Sequence, residues 1–216
     1  MKWLFFSYSL PTEPSKARVY IWRQLKKLGA VNYQSVWVLP YSKERIEDLN
    51  KLMESIESYK GESLVLEGKS LTKSQEERIN KAIVDSRNEE YGELIEKCED
   101  YFKEIDFEIE RQNFIFAEVE ENEVELEKLK LWFKKVAKRD VLDVPLRKVA
   151  VEKLKGCEKR FEVFSQRVYE HVQLTNMEKK GATPKKALRE KKDSWVSLRD
   201  PSSVLKIIIK ALTFWR

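Results

Sequence analysis

Apolar positions along the chain follow two patterns that change near residue 70. Before it, short apolar runs alternate with amphipathic stretches; after it, apolar residues recur every three or four positions over long distances. Residues 3–8 read as a strand that ends at Leu10-Pro11. Over 15–28 the set Val19, Ile21, Trp22, Leu25 and Leu28 lies on one helical face, and Gly29 stops the helix. Residues 31–33 and 36–39 are β-prone pieces separated by Gln34-Ser35, either a hairpin or one strand with a bulge, and Pro40 ends them. Ser42 caps a helix reaching about Tyr59, with Ile46, Leu49, Leu52, Met53 and Ile56 inside and Gly61 as its stop. Residues 62–67 alternate, with Leu64 and Leu66 on one face. The order βαββαβ predicts a ferredoxin-like domain over 1–70, in which two helices cover one face of a four-stranded antiparallel sheet.

Residues 71–173 predict an antiparallel three-helix bundle, which makes the fold class helix-rich α+β. Ser74 with Glu77 reads as a capping box, with Leu71 as its staple. The stripe that follows is Ile83, Arg87, Tyr91, Leu94, Cys98, Tyr101 and Ile105. Asn122 with Glu125 reads as a second helix start, leading to a seam of Leu126, Leu129, Phe133 and Val136. Asp143 before Pro145 starts the third helix, seamed by Ala150, Leu154, Cys157, Phe161, Phe164 and Val168. Residues 114–119 fit a helix end or an extra strand equally well. From 174 to 202 the sequence has few aliphatic residues and reads as a basic flexible linker. Residues 203–216 predict a terminal amphipathic helix whose Ile208, Leu212 and Trp215 suit a membrane interface or a partner's groove.

Charge alters this picture by being uneven. The 216 residues carry a net +5, made of +3 over 1–70, −5 over 71–173 and +7 over 174–216. Anionic partners, nucleic acid or lipid, are therefore expected at the two ends. Lys16, Tyr20, Arg23 and Lys27 recur on one face of the first helix, with Arg18 and Lys26 beside them, which suits phosphate contacts as well as it suits a plain solvated face.

The remaining chemistry is sparse. Arg87 occupies a seam position one turn before Tyr91, so it either pairs with Glu90 or a neighbouring acid, or holds an oxyanion such as phosphate or chromate. The two cysteines sit on core seams without metal-ligand spacing, and the one histidine, His171, has no ligating neighbour in sequence. There is no P-loop, no GxGxxG and no glycine-flanked serine elbow. The expectation is a non-enzymatic protein with no metal and no cofactor. With no cleavable leader and no run of apolar residues long enough to span a bilayer, the expected location is cytoplasmic. Edge strands of the predicted sheet invite a homodimer.

The segment YSLPTEPSKARVYIWRQLKKLGAVNYQSVWVLP, followed in order by SRNEEYGELIEKCEDYFKEIDFE and FAEVEENEVELEKLKLWFKKVAKRD, resembles the N-terminal domain of the ChrB family of chromate-resistance regulators over about residues 1–172. The shorter WRQLKKLGAVNYQSVWVLP is also similar to the ferredoxin-like middle domain of PaaX-type repressors and, more remotely, to small CRISPR adaptation nucleases. The resemblance implies transcriptional or chromate-response regulation, with Arg18, Arg23, Lys26 and Lys27 contacting DNA. Where the nucleases place a metal-binding Asp, at the end of the first strand, this chain reads Ser7-Tyr8-Ser9.

Overall fold

The computed structural model describes residues 1–13 and 15–179. The protein is a helix-rich α+β fold in which a four-stranded antiparallel sheet and two helices are followed by three long helices. The order is β1 (Trp3–Ser9), α1 (Ser15–Lys27), β2 (Val31–Tyr33), β3 (Val36–Pro40), α2 (Lys43–Ser58), β4 (Glu62–Gly68), α3 (Lys73–Glu110), α4 (Phe116–Arg139) and α5 (Leu146–Lys179). The strands lie in the order β2-β3-β1-β4. β1 sits in the middle and pairs Phe5 with Val38 on one side and with Leu66 on the other.

Alternation along β1 sends its side chains to two different cores. Leu4 and Phe6 meet Ile21 and Leu25 of α1 and Leu49, Leu52 and Ile56 of α2. Trp3 and Phe5, on the opposite face, pack with Val31, Val38 and the first turns of α3 through Ile79 and Ile83. β2 and β3 form a hairpin, because Gln34 and Ser35 both take positive φ, 49° and 69°, which matches the twist a two-residue hairpin requires.

Several local signals resolve differently from the sequence expectation. Val19 and Trp22 are about half exposed, while Ala17, Ile21 and Leu25 form the buried side of α1. Ile21 and Leu25 pack into the core shared with the sheet and α2, which leaves Val19 and Trp22 outside. The positive φ that ends α2 belongs to Lys60 (59°), not Gly61. Gly61 is needed for space: a Cβ there would lie 2.5 Å from the Ser9 carbonyl oxygen. Thr72, not Ser74, caps α3 by accepting the Gln75 N–H, and Leu71 is almost fully exposed, so it staples nothing. α4 begins at Phe116, six residues before the Asn122 start that the sequence suggested, so 116–119 are helical. Asn122 is buried inside that helix, donating from Nδ2 to the Glu118 carbonyl at 2.8 Å.

The expected seams of the three long helices meet in one core. Tyr91, Leu94, Cys98, Tyr101 and Ile105 of α3 pack with Leu126, Leu129 and Val136 of α4 and with Ala150, Leu154, Cys157, Phe164 and Val168 of α5. Each fully buried Leu or Ile there contributes about 1.5–3 kcal/mol. α3 is the shared element: its first turns cover the sheet, and its remaining turns pack against α4 and α5.

Candidate nucleic-acid interface

α1 reads SKARVYIWRQLKK and carries five cations and no carboxylate. Its buried side is fixed by the sheet core through Ile21 and Leu25, so Lys16, Arg23 and Lys27 are turned to solvent. The C-terminal end is held by Gly29 at φ 81°: its N–H donates to the Lys26 carbonyl at 3.0 Å, and the Ala30 N–H reaches the Leu25 carbonyl at 3.0 Å. Lys26 and Lys27 lie in the last turn, where the partial negative charge of the helix end favours them.

The structure brings together some of the expected contacts and separates others. Lys16, Tyr20 and Arg23 line one shallow groove with Ser15, Val19 and Gln24. Tyr20 is held by an edge-on contact with Tyr59 at the end of α2, the ring centroids 6.5 Å apart. Arg18 points back to the preceding loop, its Nη2 donating to the Thr12 carbonyl at 2.7 Å, and Lys26 is half-buried. Lys16, Arg23, Lys26 and Lys27 form no ion pair with any described residue. Elsewhere some cations pair along their own helices, as in Lys81–Asp85 and Lys128–Glu125, while many others, like those of α1, make no ion pair among the described residues. Trp22 at 48% exposed and Val19 at 46% add apolar surface beside the cations. Sequence reading placed both of these in the core; the spacing Ala17-Ile21-Leu25-Leu28, four, four and three, is the signal that finds the true inner face.

Arg87, the other residue singled out, is completely buried and lies at the end of the α3 core nearest the sheet. Its Nη1 is 3.1 Å from Glu90 Oε1, and Nη2 meets Ser86 Oγ at 3.2 Å. Arg139, from the last turn of α4, pairs with the other oxygen of the Glu90 carboxylate. Tyr91 donates its hydroxyl to Asp140 Oδ2 at 3.2 Å, and Asp140 also accepts the Val144 N–H. Two guanidinium groups thus face two carboxylates. Burial lowers the pKa of Arg87, and Glu90 opposes that shift. Burial raises the pKa of Tyr91, reinforced by Asp140. Arg87 Nε and Nη1 and Arg139 Nε make no hydrogen bond among the described residues, so the approach of Nη1 to Glu90 is an ion pair without hydrogen-bond geometry.

Cys98 and Cys157 are both buried and unbridged, the Cys157 thiol 3.8 Å from the Cys98 carbonyl oxygen. Its hydrogen bonding with Cys98, together with burial, pushes the Cys157 thiol far up. His171 stacks obliquely on Phe114, 5.6 Å between centroids. Among the described residues no His, Cys, Asp or Glu group is arranged to hold a metal ion, and no helix is long and apolar enough to cross a membrane. Ile208, Leu212 and Trp215 lie outside the described residues, as do the linker beyond 179 and the predicted terminal helix.

The family described as "Protein ChrB, N-terminal" matches residues 18–175. This chain belongs to the ChrB N-terminal family. The match begins inside α1 and ends within α5, so it takes in the basic helix from Arg18 onward, the hairpin, α3, α4 and most of α5. No curated protein matches the chain significantly.

Proposed function

We propose that this ChrB-family chain is a regulatory, non-catalytic cytoplasmic protein of the chromate-resistance type that associates with nucleic acid through α1. The observation that carries this reading is a thirteen-residue helix with five cations, no carboxylate and exposed Val19, Tyr20 and Trp22 between them. Cations supply sequence-independent attraction to phosphates, and neighbouring aromatic rings offer contact to sugar or base surfaces. A second consideration is the framework. The strand order β2-β3-β1-β4, with α1 and α2 on one face, supports a ferredoxin-like reading of residues 1–70, and α3, α4 and α5 support a helical bundle behind it. On this reading Lys16 and Arg23 make the central phosphate contacts, Lys27 extends them, and Arg18 and Lys26 lie at their margins.

Arg87 enters this proposal as a structural charge. Its guanidinium is matched by Glu90 and lies beside the Tyr91–Asp140 pair, an arrangement that favours an internal ion pair over an exchangeable oxyanion.

The test is titration of duplex DNA at several salt concentrations. Binding is expected to weaken steeply as salt rises, and Arg23→Glu is expected to abolish it. Replacement of Lys16 by Ala is expected to flatten the log–log salt slope by about 0.9, the value of one released counterion. Salt-independent binding, or an Arg23→Glu protein that binds like the original, would overturn the proposal.

A further inference from the structure

The sheet has two edges, and they are protected very differently. β2, at one edge, is three residues long and ends in a tight hairpin, so it offers little to another strand. β4, at the other edge, runs for seven residues in unbroken register with β1, from Trp3–Gly68 to Ser9–Glu62. It reads ESLVLEG, with no proline, no lysine and no bulge, and its carboxylates stand only near its ends. Such an edge presents a row of unpaired N–H and C=O groups, the situation that isolated proteins blunt with short strands, charges or bulges. The side chains deepen the anomaly. Leu64 and Leu66 are 53% and 54% exposed on the sheet face that α3 covers elsewhere, where Leu66 stands opposite Phe5.

We infer that β4 is the dimer interface of this protein, pairing antiparallel with β4 of a second copy about a two-fold axis through Val65. The register follows from the sequence of the strand itself. Val65 is the midpoint of Glu62–Gly68, and centring the axis there pairs all seven residues with their counterparts. Leu64 of each copy then faces Leu66 of the other on the same side of the sheet, covering both exposed pairs at once. Glu67 faces Ser63 and Glu62 faces Gly68, so no carboxylate meets a carboxylate. Centring the axis on Leu64 sets Glu62 against Leu66, and centring it on Leu66 leaves Glu62 and Ser63 beyond the paired strand. An axis between two residues would mismatch the pleat, because opposed residues in an antiparallel pair share a face. The strand's own pattern therefore selects a partner identical to itself, as an isologous interface requires.

The consequence is a continuous eight-stranded sheet with the two-fold axis perpendicular to it. Both copies of α1 then lie on the same side of that sheet, since α1 and α2 cover one face only. The dimer inference stands on the sheet edge alone and is independent of what α1 binds.

Sedimentation equilibrium of the full chain and of Leu64→Glu/Leu66→Glu tests it. Both positions are more than half exposed, so the variant is expected to keep the circular dichroism spectrum and melting temperature of a folded monomer while the parent has the mass of two chains. The register is tested separately by Leu64→Cys/Leu66→Cys, which is expected to form interchain disulfides under mild oxidation. The buried Cys98 and Cys157 keep the background silent. Leu64→Cys alone is expected not to cross-link. A monomeric parent, or a variant that remains dimeric, would overturn the interface; efficient cross-linking of Leu64→Cys alone would overturn the register.

Discussion

Gly29 and Arg139 meet where the end of the basic helix rests on the end of α4: a Cβ added to Gly29 would lie 3.0 Å from the Arg139 Cβ and 3.2 Å from its Cγ. Arg139 is in turn bound to Glu90, which lies against the buried Arg87. The C-terminus of α1 is therefore seated on the charged cluster of the long helices, and the direction of the basic helix depends on residues far from it in sequence. Lys138–Glu44, 3.1 Å apart on the surface, ties α4 to α2 in the same region.

Gly29→Ala meets two penalties at that seat, a positive φ of 81° and the close approach of Arg139. The expected loss is about 1–3 kcal/mol in urea denaturation, as for other residues forced into the left-handed region. Arg139→Ala in the same chain removes the Cγ and Cδ contacts but keeps the Cβ at 3.0 Å, so it is expected to recover only a small part of the loss. Full recovery would mean that the backbone conformation carries no cost.

Gly61 and Lys60 form a matched pair of tests for the end of α2. Gly61→Ala would put a Cβ 2.5 Å from the Ser9 carbonyl, which is backbone of the central strand and cannot step aside. A loss above about 2 kcal/mol is expected, in the range of overpacking. Lys60→Gly acts in the other direction, since φ 59° is the left-handed conformation that glycine takes without strain, and a gain of about 0.5–1 kcal/mol is expected. Thermal melts of the two variants should therefore move to opposite sides of the parent.

This pair also shows what could be read from the chain before its fold was known. Gly61 is legible in the sequence as the end of a helix, but its purpose lies in a contact with Ser9, fifty-two residues away in sequence, that no local pattern contains. The α3 stripe from Ile83 to Ile105 was legible because every one of its members is buried, including Arg87. The inner face of α1 was not, because Val19 and Trp22 are large apolar side chains that weigh heavily in a periodicity, whereas the buried face runs through the small Ala17 with Ile21 and Leu25. The helix starts at Thr72 and Phe116 were missed for a related reason: competing Ser/Thr and Asn/Glu pairs stood nearby, and packing decided between them. Of the candidate interface, the cations and Tyr20 were legible, and the apolar surface of Val19 and Trp22 beside them was not.

Tyr91 gives the fold a predicted alkaline limit. Burial and the neighbouring Asp140 raise its pKa above the ordinary 10.0, so the folded protein resists losing that proton more than the unfolded chain does. For a group whose folded pKa is raised, the stabilisation is full below the unfolded value and is lost as pH rises through the folded one. Stability is thus expected to fall above about pH 10, and Tyr91→Phe is expected to flatten that fall while costing about 0.5–1.5 kcal/mol at neutral pH through loss of the hydrogen bond to Asp140. Chemical denaturation repeated from pH 7 to pH 11 distinguishes the two effects. Tyr101 and Tyr8, also raised by burial, contribute to the remaining slope.

Glu104 is shifted in the same direction as Tyr91, but its substitution is expected to act in the opposite one at neutral pH. Burial and the carboxylates of Glu121, Glu125, Glu108 and Glu118 raise its pKa, so its charged form is disfavoured in the folded state. Because the side chain is exposed, solvent screens most of this, and Glu104→Gln is expected to stabilise the protein at pH 7 by only a few tenths of a kcal/mol. The gain should shrink as salt is added and vanish below the ordinary carboxylate range, where the parent is protonated too. A gain unchanged in high salt would place its origin in packing instead of charge.

Trp22 is the sharpest test of what α1 does, because its position separates binding from folding. At 48% exposed it lies outside the core formed by Ile21 and Leu25, so Trp22→Ala is expected to change stability by less than about 0.5 kcal/mol. If the aromatic surface works together with Lys16 and Arg23, the same substitution should weaken nucleic-acid binding by roughly the value of one stacking contact, about 1–3 kcal/mol, without altering the salt slope. The replacements Lys16→Ala and Trp22→Ala would then leave different signatures in one titration series, the first changing the slope and the second only the intercept. Quenching of Trp22 fluorescence provides a direct readout, obtained as the difference between the parent and Trp22→Phe, since the chain holds six tryptophans. A Trp22→Ala protein that binds with unchanged affinity would confine the interface to the cations and make the exposed ring a feature of the surface alone.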